Sequence, residues 1–130
     1  MNQAALSLYK TIGVQGGITD ASPHQLITML LSGALDRVAS AKGSIKRGEI
    51  GRKGELLSSA IAIIDSLRAS LDHDKGGEIS KNLAALYDYI EQQLIKANMA
   101  SDTVPLDEVS SLLMEVRAGW ESIPRDARRF

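Results

Sequence analysis

Six apolar residues, Leu106, Val109, Leu113, Val116, Trp120 and Ile123, step 3, 4, 3, 4, 3 along the last third of the chain. That rhythm puts all six on one face of a helix and gives the face a seam close to a coiled-coil heptad, so it must pack against other helices. The same spacing recurs three times upstream. Leu26, Ile27, Leu30, Ala34, Val38, Ala41 and Ile45 mark one helix. Ile50, Leu57, Ile64 and Leu71 mark a second, and Ile79, Leu83, Leu86, Tyr87, Ile90, Leu94 and Ala97 a third. No stretch alternates apolar and polar residues as a strand would.

The boundaries are written in capping residues. Ser22, Pro23 and Gln25 form a capping-box pattern with proline at the first helical position, so the first helix opens there and runs to about Arg47-Gly48. The second is predicted from Glu49-Ile50 to about Leu71, after which Asp72 to Gly77 reads as a polar turn. The third is predicted from about Glu78 to Met99, with Asn98 helping to end it. Ser101-Asp102-Thr103 before Pro105 opens the fourth, and Ile123-Pro124 stops it near Ser122. Helices of this size are roughly 30–39 Å long at 1.5 Å per residue. Connections of about two to six residues force successive helices to lie antiparallel. The expected fold is all-α, an antiparallel up-down-up-down four-helix bundle over residues 22–123. Residues 1–21, broken by Gly13, Gly16 and Gly17, read as a flexible N-terminal arm, and residues 124–130 as a short basic tail.

Composition narrows the function. The chain has 130 residues, enough for one core, with 44% hydrophobic and 24% charged residues. Its 15 basic and 16 acidic side chains are interspersed and leave a net charge of −1, so nucleic acid is a poor partner. It has no cysteine, which removes disulfides and thiolate metal sites. No signal peptide or uninterrupted membrane-spanning run is visible, and a cytoplasmic location without stable membrane insertion follows by default.

The search for chemistry returns little. His24 and His73 are the only imidazoles; neither lies mid-helix, where phosphotransfer needs one, and no second histidine joins His73 among Asp72, Asp74 and Glu78. No phosphate-binding glycine loop or nucleophile elbow occurs. The chain reads as a non-enzyme with no cofactor and no metal.

Binding surface remains. The middle of the second helix is apolar around most of its circumference, since Leu56, Ile61 and Ile63 flank the Leu57–Ile64 stripe. Leu112 and Met114 flank Leu113 and Val116 on the fourth. These residues either fill a wide core or a dimer face, or they line a groove for an amphipathic segment. Asn82, beside Leu83, either satisfies backbone or fixes register, or it bonds an extended ligand backbone. Tyr9 is either a tail residue or an anchor that lays the arm over the apolar surface.

Four segments in register then resemble one family. Ala21-Ser22-Pro23-His24-Gln25-Leu26-Ile27-Thr28-Met29-Leu30 with Gly33-Ala34 is similar to the opening helix of the flagellar secretion chaperones that escort flagellin. Asn82-Leu83, Leu86-Tyr87-Asp88-Tyr89-Ile90, Leu94 and Ala97-Asn98 continue the resemblance, and Leu112-Leu113 and Arg117-Ala118-Gly119-Trp120 complete it. It covers about residues 9 to 120. The resemblance implies a cytoplasmic bundle that binds the disordered C-terminal segment of flagellin in hydrophobic grooves, prevents premature polymerisation and delivers the client to the export apparatus. It implies contact with the membrane-protein component of the export gate, and an arm around Tyr9 that covers part of the groove. The candidate client-binding set is Tyr9, Leu57, Ile61, Ile64, Asn82, Leu86, Tyr87, Ile90, Leu113 and Arg117. A monomer or weak homodimer is expected. The competing reading is a bundle that serves as a dimerisation or phosphotransfer module.

Overall fold

The computed structural model describes residues 22–123. Four helices account for nearly all of them: α1 (Pro23–Lys46), α2 (Ile50–Ala69), α3 (His73–Ala100) and α4 (Val104–Ser122). Each packs against two neighbours in a closed ring, α1 on α2, α2 on α3, α3 on α4 and α4 back on α1. Polar pairs across the seams run in opposite directions along the partners: His24 meets Trp120, Ser32 meets Arg117, and Lys42 meets Asp107. The bundle is therefore antiparallel and up-down-up-down.

The helix ends follow from their capping residues. Ser22 Oγ accepts the Gln25 amide at 3.1 Å, and Gln25 Oε1 accepts the Ser22 amide at 2.8 Å, completing the capping box. At the other end of α1, Gly48 sits at φ +71°, its amide donates to Ile45 O, and the Glu49 amide reaches Ser44 O at 2.9 Å. This is a Schellman motif, in which glycine takes the left-handed position that other residues avoid. Glu49 then precedes α2 without any side-chain cap. At the start of α4 the helpful side chain is Asp102, whose Oδ1 accepts the Val104 amide at 2.9 Å, whereas Thr103 makes no capping bond.

Two boundaries differ from the sequence reading. Asp72 to Gly77, expected as a polar turn, is a helical turn capped by Asp72, whose Oδ1 accepts the Lys75 amide at 3.0 Å. It is broken from the main rod of α3 at Gly77, which has φ +52° and ψ −125°. The other end of α3 runs past Asn98 to Ala100 and stops at Ser101, a non-glycine residue in the left-handed region. Such a conformation costs roughly 1–2 kcal/mol, and here it is held from outside: Lys53 Nζ donates to Ser101 Oγ at 2.7 Å and to Asn98 O at 2.9 Å. An ammonium facing the carbonyl end of a helix is also favoured by the helix dipole.

The core draws on all four helices. Leu30, Leu31 and Val38 of α1, Leu57, Ile63, Ile64 and Leu67 of α2, Ile90 and Leu94 of α3, and Leu106 and Leu113 of α4 are almost fully buried. Much of the apolar surplus on α2 is thereby consumed. Leu56 and Ile63 lie inside, and Ile61 packs half-buried against the core.

Candidate functional site

The bundle does not fill itself evenly. Where α1 and α3 begin and α2 and α4 end, the helices leave a cavity of about 270 Å³. Ile27 and Leu31 of α1, Leu67 of α2, Leu71 after it, Ile79, Leu83 and Tyr87 of α3, and Val116 and Trp120 of α4 line it, and Ile123 stands beside them. Ser70, Glu115 and Gly119 complete the lining. Leu31, Leu67 and Tyr87 are buried and form the floor; Ile79, half exposed, stands at the rim. The walls are apolar because the periodic stripe of each helix continues past the point where its neighbours close on it. Burial pushes the Tyr87 phenol up to about 12, so it stays neutral. Small-molecule sites typically measure about 300–1,000 Å³; this cavity suits one or two apolar side chains of a larger guest.

One wall is fixed by a contact between the first helix and the last. Trp120 Nε1 donates to His24 O at 3.0 Å, and His24 Nε2 donates in return to Trp120 O at 2.9 Å. A carbonyl only accepts, so His24 carries its proton on Nε2 in this arrangement. The two rings stack with centroids 4.7 Å apart and planes 12° from parallel.

Charged groups lie along the outer α2–α3 seam. Arg68 bridges Asp65 on its own helix and Asp88 on α3, and approaches Glu91 at 3.6 Å. Burial, followed by the neighbouring Asp65, raises the Glu91 carboxyl to about 7 against the opposing pull of Arg68. Among the described residues no group of histidine, cysteine or carboxylates is placed to hold a metal ion. No helix among them is long and apolar enough to cross a membrane.

The predicted client-binding residues are scattered by the fold. Tyr9 lies outside the described residues. Leu57, Ile64, Ile90 and Leu113 are fully buried in the core. Ile61 and Leu86 are half-buried against it, and Asn82 is exposed. Arg117 Nη1 donates to Ser32 Oγ at 3.2 Å, joining α4 to α1. Tyr87 alone of the nine described residues lines the cavity. Sequence reasoning missed Ile27, Leu31, Leu67, Leu71, Ile79, Leu83, Val116 and Ile123 as its lining. The available signal was positional: these residues occupy the helix ends that the short α2–α3 connection gathers together. A separate apolar feature lies toward the other end of the bundle, where Ile95 and Met99 stand one turn apart on α3, Met99 84% exposed.

Over residues 5–127 the chain matches the family described as "Flagellar protein FliS". It is 44% identical over 119 residues to the flagellar secretion chaperone FliSB of Pseudomonas aeruginosa, covering 92% of this chain and 94% of that protein. It is 38% identical over 122 residues to the flagellar secretion chaperone FliS of Vibrio cholerae, covering 94% and 90%. Against the protein of that name from Salmonella typhimurium it is 41% identical over 121 residues, covering 92% and 90%.

Proposed function

Because this chain belongs to the FliS family of flagellar proteins, we propose that it is a cytoplasmic, non-enzymatic export chaperone whose client is the disordered C-terminal segment of flagellin. The observation that carries the reading is the apolar cavity between the four helices at one end of the bundle. An amphipathic client segment places residues at i, i+3 and i+4 into such a seat. The exposed Ile95 and Met99 give the client a second apolar track farther along α3.

The physics suits a transient escort. A disordered client loses conformational entropy as it orders, so a large apolar contact is needed and the affinity per unit area stays moderate. At about 25 cal/mol per Å² of apolar surface, wrapping drives binding while leaving release feasible. Holding the client's polymerising segment prevents premature filament formation, and the loaded chaperone delivers it through contact with the export gate. The arm of residues 1–21, with Tyr9, competes for the same apolar surface when no client is present, and the chaperone works as a monomer or weak homodimer.

A synthetic peptide of the last few dozen residues of flagellin tests the reading. Calorimetry is expected to give a stoichiometry of about 1:1, with added helical signal in circular dichroism. Neither binding nor ordering in those two measurements would overturn it. Deleting residues 1–17 is expected to increase dye binding at the apolar surface, and no change would reduce the arm to a tail.

A further inference from the structure

We infer that His24, which does not line the cavity, is a positioning residue for it: His24 holds Trp120 in place as a wall, and client affinity depends on that hold. The inference rests on the cavity being the client's seat. Trp120 belongs to the last turn of α4, and its side chain packs partly buried against the core at the cavity wall. His24 grips it there at three points. Its ring covers one indole face, its Nε2–H binds the Trp120 carbonyl, and its own carbonyl accepts the indole N–H. Both polar contacts run from side chain to backbone, so each residue anchors the other's helix as well as its ring.

The element that supplies the hold is the first turn of α1. Pro23 and the Ser22–Gln25 capping box fix the backbone on both sides of His24, and the Thr28 hydroxyl donates to the same His24 carbonyl at 3.3 Å. The clasp is therefore built on a rigid helix start, the arrangement that positions a binding group with least loss of order on association. A merely structural clasp would tie α1 to α4 and nothing more. This one fixes a cavity-lining indole, so its loss reaches the guest.

The test uses the full chain, its His24→Ala and His24→Phe variants, the flagellin C-terminal peptide, and the fluorescent probe 8-anilinonaphthalene-1-sulfonate. Trp120 is the chain's only tryptophan, so indole emission reports this wall alone. The expected result for His24→Ala, at a temperature where circular dichroism shows it fully helical, is a roughly tenfold weaker peptide Kd. Red-shifted emission and greater quenching by acrylamide should accompany it. His24→Phe keeps the stacking ring but loses the Nε2–H bond, and is expected to fall between parent and His24→Ala in both readouts. If His24→Ala does not fold, His24→Phe carries the comparison with the parent.

A Kd within about twofold of the parent, with the variant folded, overturns the inference and leaves His24 a structural tie. Unchanged emission and quenching also overturn it. If the parent itself fails to bind the peptide, the proposed client falls. The inference is then decided by the probe, whose affinity must drop in His24→Ala together with the emission change.

Discussion

The two ends of this bundle are built from the same four helices and behave as opposites. At one end the chain closes on itself with small side chains and a buried cation. Ala41 and Ala97 are fully buried, Pro105, Leu106 and Val109 fill the start of α4, and Lys53 joins the start of α2 to the end of α3. At the other end large residues line a space they do not fill, and a stacked pair of rings joins α1 to α4. The difference teaches how a small bundle reconciles stability with an unfilled seat. Cohesion is concentrated where packing is complete, and the open end relies on a directional clasp because it lacks the contacts for dense packing.

The comparison predicts unequal costs for equal truncations. Leu106→Ala, at the closed end, should cost about 3 kcal/mol in urea denaturation. Leu71→Ala, half-buried beside the cavity, should cost about 1 kcal/mol or less. Equal costs would erase the distinction. Lys53→Met keeps the aliphatic stem and removes the ammonium bonded to Asn98 O and Ser101 Oγ. It should cost about 2 kcal/mol, read from the same curves. Gly119→Leu acts on the other side of the comparison. A Cβ at position 119 meets nothing within 4 Å among the described residues beyond its chain neighbours and the backbone of its own helix, and the residue lines the cavity. The substitution should leave thermal stability intact while peptide affinity in calorimetry falls about tenfold.

A smaller effect belongs to the seam between the ends. The folded chain holds the Glu91 proton up to about pH 7, against an ordinary value of 4.5. Between those values the native state binds more protons than the unfolded one, so this group's contribution to stability declines as pH rises through the window. Its partners there are Asp65 and Arg68 of α2. Glu91→Gln should flatten that slope by about 1 kcal/mol, allowing for solvent screening, in melts at pH 4.5 and 7.5. Ser66→Ala should be the least effect and the only favourable one in stability. Ser66 Oγ is buried without a hydrogen-bond partner, and removing it should add about 0.5 kcal/mol.

Much of the architecture was legible because its causes are local. Ser22, Pro23 and Gln25 announce α1, Gly48 ends it, and the 3–4 spacing assigns four apolar faces that short connections can pair in only one economical way. The cavity was not legible for a related reason. Periodicity states which face of a helix is apolar, but it does not state where along that face the neighbours stop. Leu57 and Leu67 belong to the same helix and look alike in sequence, yet the first lies in the closed core and the second floors the cavity. The His24–Trp120 clasp joins residues 96 positions apart, and nothing near either one signals the other. Gly77 misled in the opposite sense: a glycine pair that reads as a loop sits in a capped helical turn, interrupted at a single residue.

With an even number of antiparallel helices, the first described residue and the last finish as neighbours. Ser22 and Ile123 lie within three residues of the stacked rings, so both ends of the described chain stand at the cavity end of the bundle, opposite Lys53. A fluorophore placed at position 22 or 123 is therefore a local competitor or reporter, while one on the exposed Arg47 position reads the opposite end of the bundle.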